Sequence, residues 1–308
     1  AAGSDKQMTY DTNANKVVIV CRNNSDSGNG YGFVGTVSGT SISFGSGTAF
    51  NSTGTTDNIG ICFDNSNNKV VVAYQDNAAG LGIAAVGTVS GTSISFGTPV
   101  TFAARTAMAN CVFDSTNNKV VIFYKDQDNS NYGTAIVGTV SGTSISFGSE
   151  VVFESNAVNM GNNKQASVFD PDNSFACVNY NISGTGGCMK AGTVSGTSIS
   201  FGDRLNFESG DSYEFGVVYD TTSDRLISNF YDNGRSNYFT SVVIQTSSTN
   251  LTSENFIGFA EYAAADTETA TVLIKGGVST TQSSLTPGQT YFVQGDGTLG
   301  LTADDPSV

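Results

Sequence analysis

A stretch of twelve residues, VGTVSGTSISFG, occurs four times along this chain of 308 residues. Three copies are identical, and the fourth has Ala instead of Val at its first position. Successive copies begin 51 to 54 residues apart. Near-identity at such a spacing is typical of a tandem array of one supersecondary unit. The copies are Val34–Gly45, Val86–Gly97, Val137–Gly148 and Ala191–Gly202.

Each copy predicts two short strands joined by a tight turn. In the first copy we place the turn at Ser38-Gly39, because glycine supplies the positive φ that a primed hairpin turn needs. The predicted pairs are Val37 with Thr40, Gly35 with Ile42, and Phe33 with Phe44. Since side chains alternate across a strand, these residues share one face. We expect an outer hairpin of a sheet, in which Gly35 leaves room for a side chain of a neighbouring sheet.

A second motif, an Asp followed five residues later by an apolar run, recurs five times at a similar period. Together the two motifs give each unit four strands, named a, b, c and d in chain order. In the second unit these are expected at about 58–63, 69–75, 82–89 and 92–102. Four antiparallel strands per unit, with no helical segment, predict an all-β β-propeller with one blade per unit. The motif aspartates are Asp11, Asp64, Asp114, Asp170 and Asp220.

The fifth unit keeps the Asp motif but has lost the SGTSISFG signature. We therefore predict a five-bladed propeller over residues 1–256, and favour it over a larger ring completed by sequence upstream of Ala1. A small β-module, expected to be truncated, follows at 257–308 and contains a hairpin formed by Thr290–Gln294 and Thr298–Leu301. The predicted blades are residues 1–50, 51–102, 103–153, 154–207 and 208–256.

Composition excludes several classes of partner. With 13 basic and 27 acidic residues the net charge is −14, which disfavours a nucleic-acid backbone or an anionic membrane as partner. No segment approaches the roughly 20 apolar residues of a membrane span, and no signal-peptide pattern is present. Because the chain begins at Ala1 without Met, we expect a processed or partial polypeptide.

The five cysteines show no CxxC spacing, and the chain contains no His, so a zinc site is not expected. Most of them lie in apolar runs, which favours buried free thiols. The alternative for Cys177 and Cys188, which flank one predicted hairpin, is a cross-strand disulfide. The five cysteines are Cys21, Cys62, Cys111, Cys177 and Cys188.

Two residue patterns raise chemical alternatives that we weigh against simpler ones. The Asp and Asn clusters at the a–b turns resemble calcium loops, but the full loop motif is absent, and turn capping accounts for them. A carboxylate pair for glycoside hydrolysis is the second alternative, but no distinctive spacing sets one pair apart, and solvated charge accounts for these residues. Without His, a Ser-His-Asp triad is impossible. We therefore predict no catalytic residue, metal or cofactor, and no enzyme. The carboxylates considered are Asp126, Asp128, Asp232, Glu150, Glu154 and Glu208.

The loops between strands b and c differ in length and content among the units, whereas the a–b and c–d turns are nearly identical. Functional residues usually lie on variable loops held by a rigid scaffold, although neutral drift would give the same pattern. The b–c loops carry Tyr, Asn, Asp and Arg, which suit polar ligands such as sugars. The predicted ligand-binding residues are Asn24, Asp26, Tyr31, Asp76, Asn77, Asp126, Asp128, Tyr132, Asn181, Asp232, Arg235 and Tyr238.

The C-terminal stretch SLTPGQTYFVQGDGTLGL resembles a short β-module of bacteriophage tail-fibre and related virion proteins. The resemblance covers about 50 residues and rests on the pattern GLT-x-G-x-x-Y-x-V-x-x-D-G-x-L, in which Ser284 here replaces the leading Gly. The GTVSGTSISFG blades are similar to repeats in predicted marine phage structural proteins. This resemblance carries no catalytic residue over to the chain.

The resemblance implies a virion appendage protein, a tail fibre or capsid fibre, that attaches to a host surface. Its expected partners are other virion proteins, further copies of itself through the C-terminal module, and a host-surface glycan or protein. Its expected location is the virion, outside the cell. The alternative is a secreted or cell-surface bacterial propeller of lectin type, and a propeller glycoside hydrolase is a third hypothesis.

Overall fold

A computed structural model describes residues 3–161, 165–235 and 238–246, together with four two-residue strands nearer the C-terminus. The chain divides into two compact units, Ala1–Thr246 and Ser247–Val308. In the described residues the only helical element is a three-residue 3-10 turn, Asn233–Arg235, so no helix there is long enough to cross a membrane.

The described strands of the first unit fall into five successive antiparallel groups, which we call blades 1 to 5 and whose strands have the following bounds. Blade 1 contains β1 Gly3–Asp11, β2 Lys16–Asn23, β3 Asn29–Ser38, β4 Ser41–Phe44 and β5 Thr48–Asn51. Blade 2 contains β6 Thr56–Asp64, β7 Lys69–Asp76, β8 Leu81–Ser90, β9 Ser93–Phe96 and β10 Val100–Ala103. Blade 3 contains β11 Thr106–Asp114, β12 Lys119–Asp126, β13 Tyr132–Ser141, β14 Ser144–Phe147 and β15 Val151–Asn159. Blade 4 contains β16 Ser167–Asp170, β17 Phe175–Ile182, β18 Gly186–Ser195, β19 Ser198–Phe201 and β20 Leu205–Asn206. Blade 5 contains β21 Ser212–Asp220, β22 Arg225–Asp232 and β23 Tyr238–Ile244.

The predicted four-stranded blade is confirmed in blades 1 to 4, with one change at strand d, whereas blade 5 has three strands in the described residues. In blades 1 to 4 strand d is divided into two short strands that pair with successive halves of the same strand c. In blade 2, for example, β9 and β10 both pair with β8. The single strand predicted at 92–102 is therefore interrupted after Phe96, where Gly97 donates its N–H to Val86 O at 2.9 Å.

The predicted apolar face of the outer hairpin is confirmed, but its register is wrong. The observed pairs are Ser38 with Ser41, Val37 with Ile42, and Gly35 with Phe44. The turn residues are therefore Gly39 and Thr40, with Gly39 at φ +57°, as in type II′ turns that begin with glycine. The space above Gly35 is filled by Ile42 and Phe44 of its own hairpin, since a Cβ there would lie 2.9 Å from each. It is not filled by a neighbouring sheet.

The a–b turns confirm the capping interpretation of the motif aspartates. Asp64 Oδ1 accepts hydrogen bonds from the backbone N–H groups of Ser66 and Asn67, both at 2.9 Å. Asp11, Asp114 and Asp170 do the same in their own turns. Asn15, Asn68 and Asn118 follow in the left-handed conformation that Asn tolerates. These carboxylates are therefore occupied in holding turns.

The a strands of all five blades line one central cavity of about 540 Å³. Each contributes the aromatic residue that precedes the motif Asp, together with its neighbours. Five successive groups of antiparallel strands, of which the third and fourth are joined into one sheet by β15, place their first strands around this cavity, so the unit is a β-propeller. The aromatic residues are Tyr10, Phe63, Phe113, Phe169 and Tyr219.

Successive blades pack through the outer hairpin and the small residues that receive it. Ile94 of blade 2 is buried in a cluster with Val18, Val20 and Val34 of blade 1. Phe96 lies 5.5 Å from the ring of Phe50, and comparable ring contacts occur at the next two joints. The turn of each of these hairpins also contacts a glycine of the preceding blade, which is Gly45, Gly97 or Gly148. The carbonyl oxygen of the turn is so close to this glycine that an added Cβ would lie 1.9 Å from it. The joints between blades 1 and 2, 2 and 3, and 3 and 4 are therefore formed by the same contacts.

The cysteines are free, as the sequence favoured. The alternative bridge is excluded by register, since Cys177 pairs with Ala191 and Cys188 with Tyr180. The two thiols also belong to different clusters, which shows that they lie on opposite faces of the sheet. A different pair is in contact: Cys62 and Cys111, on the a strands of blades 2 and 3, have their Sγ atoms 2.8 Å apart.

In the second unit the structure describes two short antiparallel pairs. Phe259–Ala260 pairs with Val272–Leu273, and Phe292–Val293 pairs with Leu299–Gly300. The second pair confirms the hairpin predicted over residues 290–301. The rest of the C-terminal β-module lies outside the described residues.

Candidate functional site

The b–c loops of the five blades open on one surface, which we call the b–c face. The structure shows that several of the predicted ligand-binding residues serve the loops themselves. Asp76, Asn181 and Asp232 are buried. Asp76 Oδ1 accepts the backbone N–H of Ala78 at 3.1 Å, and Asn181 Oδ1 accepts that of Ser212 at 2.9 Å. Asp76 therefore stabilises its own loop, Asn181 links strand b of blade 4 to strand a of blade 5, and burial keeps all three side chains from a ligand.

The other predicted residues lie at or near the surface. In blade 3 Asp126 caps its loop by accepting two backbone N–H groups, Asp128 lies 3.5 Å from Arg105, and Tyr132 is half-buried. In blade 5 the ring of Tyr238 is exposed. The side chain of Arg235 lies outside the described residues.

In the b–c loop of blade 1 two of the predicted residues form a pair. Tyr31 donates its hydroxyl to Asp26 Oδ2 at 2.6 Å, and Asn29 donates to the same oxygen at 3.1 Å. These bonds lower the pKa of Asp26 and raise that of Tyr31. The ring of Tyr31 also lies against Phe33, with centroids 6.3 Å apart. The loop is therefore held in one shape with its carboxylate ionised.

Two further predicted residues, Asn24 and Asn77, belong to a polar cluster between blades 1 and 2. At its centre Arg22 contacts two carboxylates, Asp57 through a hydrogen-bonded ion pair and Asp5 at 3.4 Å. Arg22 Nε also donates to Asn24 Oδ1 at 3.0 Å, and Asn77 donates its amide to Asp57. We call these five residues the Arg22 cluster. The side chains of Arg22, Asp57 and Asp5 are partly exposed, so solvent reaches all three.

A bulge in each a strand positions the carboxylates of this cluster. The pairing of a with b shifts register between Ser4 and Gln7 in blade 1 and between Asp57 and Gly60 in blade 2. The extra residues, Asp5 and Asn58, adopt the left-handed conformation at φ 50° and 52°. Bulges re-aim side chains and are over-represented next to functional sites. Here they bring two a-strand carboxylates to one arginine on strand b.

The electrostatics of the cluster favour a protonated Asp5 carboxyl up to a pH of about 6. Burial, followed by the hydrogen bond to Asp57, raises the pKa of Asp5 to about 6, against the opposing effect of the Arg22 guanidinium. Above that pH the cluster carries two carboxylates and one guanidinium. It then offers several acceptor oxygens and fixed N–H donors at one point of the surface.

Sequence reasoning missed Arg22, Asp5 and Asp57. They lie in three strands of two blades, and no spacing in the sequence connects them. The detectable signal is that Arg22 occupies a strand-b position where blades 2 and 3 have Gln75 and Lys125. Blades 4 and 5 have Asn181 and Tyr231 there, so a side chain with a hydrogen-bonding group occupies this position in every blade.

The remaining carboxylates do not form a second site. Glu150 accepts the hydroxyl of Tyr124 at 2.7 Å. Glu154 accepts from Tyr180 at 3.0 Å and from Asn156 at 2.6 Å, and these bonds outweigh burial and lower its pKa. Glu208 accepts the N–H groups of its own turn. Within the described ranges no group of three or more His, Cys, Asp or Glu side chains is placed to hold a metal ion.

No family model matches the chain, and no curated protein matches it. Among solved structures, a mutant of AofleA from Arthrobotrys oligospora is 8% identical with a TM-score of 0.49, and the alignment covers 78% of this chain and 69% of that one. The NanB sialidase from Streptococcus pneumoniae is 11% identical with a TM-score of 0.49 over 79% and 56%. The lectin of Aleuria aurantia, described as a six-bladed β-propeller, is 10% identical with a TM-score of 0.37 over 80% and 79%. These likenesses concern the fold and leave the ligand of this chain open.

Proposed function

We propose that the protein is a carbohydrate-binding propeller of lectin type and that the Arg22 cluster is a sugar-binding site. The observation that carries the proposal is the partly exposed group of Arg22, Asp5 and Asp57, flanked by Asn24 and Asn77, on the face of the variable loops. A few convergent polar groups fix the orientation of a small ligand in most binding sites.

The chemistry of the cluster suits a sugar with neighbouring hydroxyl groups. Carboxylate oxygens accept hydroxyl protons, while Arg22 and the amides of Asn24 and Asn77 donate to hydroxyl oxygens. Hydrogen bonds to charged groups are about twice as strong as neutral ones, so a small site has useful affinity. Such sites bind weakly one at a time, and several copies on one surface supply avidity.

The geometry favours binding over glycoside hydrolysis. Asp5 and Asp57 are hydrogen-bonded to each other and share one arginine. Glycosidases instead hold their two carboxyl groups roughly 5–5.5 Å or 6.5–9.5 Å apart, on opposite sides of the scissile bond. We therefore propose that the protein is not an enzyme. Turnover on a glycoside panel that is abolished by Asp5→Asn would contradict this.

The test is a glycan array, followed by titration of the best ligand against matched variants. Arg22→Ala and Asp57→Asn should each weaken binding at least tenfold. The control is Arg105→Ala, which removes an exposed arginine paired with Asp128 at the next joint on the same face. Thermal unfolding of each variant should show that the fold is retained. Equal binding by Arg22→Ala and Arg105→Ala would refute the site, and an array without ligands would refute the function.

The biological setting of this lectin is a separate proposal. The tail-fibre resemblance lies in the C-terminal module, most of which is outside the described residues, so the virion appendage stays a prediction. A cell-surface or secreted lectin would use the same b–c face. Exchange of the b–c loops should abolish binding to host cells, whereas exchange of the c–d turns should not. The opposite outcome would place the contact surface on the other face.

A further inference from the structure

Blade 1 carries an apolar face whose counterparts are covered in blades 2, 3 and 4. Ile94, Ile145 and Ile199, at one position of the repeat, are each 3% exposed because the preceding blade covers them. Ile42 occupies the same position and is 46% exposed. Its neighbours Val37 and Phe44 are exposed as well. We call this surface the backward face of blade 1.

Blade 5 carries the complementary surface, also uncovered. Strand c of blades 1, 2 and 3 presents a Val to the following blade, and Val34, Val86 and Val137 are buried there. Register with strand b makes Val243 their counterpart, and Val243 is 68% exposed. Val218 on strand a and Phe239 on strand c of blade 5 are exposed too. We call this surface the forward face of blade 5.

At the strand-c position that meets the next hairpin, the forward face of blade 5 has a small residue, as do the faces that receive a SISF hairpin. The strand-c position that meets the next hairpin is Gly32, Ala84 and Ala135 in blades 1 to 3, each followed by a SISF hairpin. A Cβ at Gly32 would lie 2.9 Å from Phe96 of that hairpin, so a larger side chain at this position would collide with the hairpin. In blade 4, followed by a blade without the SISF sequence, the position is Met189. In blade 5 it is again small, Ser241.

We propose that the backward face of blade 1 binds the forward face of blade 5 in a second copy of this chain. The three internal joints show what covers a SISF hairpin: a strand-c surface with Val beside a small residue. Within one chain that surface on blade 5 and the hairpin of blade 1 both remain exposed, although every other joint is closed. The contact joins two different surfaces, so it is heterologous and can continue from copy to copy.

Complementation between two variants tests this geometry. Ile42→Glu removes the backward face and leaves the forward face intact, while Val243→Glu does the reverse. Both positions are exposed, so each variant should keep the unfolding temperature of the isolated chain. The control is Val152→Glu, an exposed apolar position on the outer strand β15.

The readout is mass by light scattering over a range of protein concentrations. The unmodified chain and Val152→Glu should associate beyond the monomer mass of 31.9 kDa. Each face variant alone should stay monomeric, and their equimolar mixture should stop at twice the monomer mass, since only one joint can form. A monomeric unmodified chain at every concentration would overturn the proposal. If the unmodified chain is monomeric and Ile42→Glu lowers its unfolding temperature, the backward face of blade 1 is covered by blade 5 of the same chain. Association that survives both substitutions would overturn it as well.

Discussion

The four isoleucines at one repeat position allow the packing of the blades to be measured with an internal control. Ile94→Ala removes a side chain that is 3% exposed and enclosed by Val18, Val20 and Val34 of the preceding blade. Lost transfer free energy and the cavity left behind together should cost about 2–4 kcal/mol of unfolding free energy. Ile42→Ala deletes the same atoms from a half-exposed position and leaves no enclosed cavity. It should cost about 1 kcal/mol or less.

Thermal and denaturant unfolding measure this difference, with Ile42→Ala made in the Val243→Glu background so that no second copy covers the residue. For a domain of about this size each kcal/mol lowers the midpoint by roughly 2–4 °C, so a loss of about 3 kcal/mol lowers it by roughly 6–12 °C. Ile145→Ala should behave like Ile94→Ala, because its joint has the same design. Equal losses for Ile42→Ala and Ile94→Ala would refute the assignment of the outer hairpin as the element that joins the blades.

Four further predictions concern single groups. Asp64→Ala should cost about 2–3 kcal/mol, because two backbone N–H groups of the a–b turn lose a charged acceptor, and urea unfolding would show it. Asp5 has a folded pKa of about 6, above its unfolded value of about 4, so the folded state binds more protons between these values. Stability should therefore fall as pH rises from about 4 to about 6, and Asp5→Asn should reduce that slope in melting curves. Of the five thiols only Cys21 is not buried, so an aromatic disulfide reagent should modify it well before the others, as mass spectrometry would show. EDTA should leave the unfolding temperature unchanged, and a large fall would reveal a structural metal.

Much of the architecture follows from the sequence because the repeat imposes it. The period predicted the blades, and the alternation in the hairpin predicted its apolar face. The register was missed because a Ser-Gly pair does not show whether glycine is the first or second turn residue, and Gly39 is the first. The interruption of strand d at Gly97 was missed because both halves have strand-like composition.

The candidate site was less predictable, for a physical reason. Its central residue and its carboxylates lie on different strands and meet through backbone bulges, which no local pattern in the sequence marks. Three of the predicted residues proved to be buried at the ends of b strands, where Asp76 bonds to backbone of its own loop and Asn181 bonds to backbone of the next blade. The uncovered hairpin of blade 1 was equally hidden, since its residues are the same as those of the covered hairpins.

The shared design of the three internal joints has a consequence for how the number of blades is set. Each joint places the same turn carbonyl on a glycine and the same Ile and Phe on a neighbouring sheet, so no joint distinguishes one neighbour from another. The order of the blades is therefore fixed by the connecting segments alone. A gene that gained or lost one of the first three units, of 51 to 54 codons each, would still encode a chain in which every remaining pair of surfaces matches. Unequal recombination between the near-identical segments can thus change the length of the array in one step, without an intermediate that fails to pack.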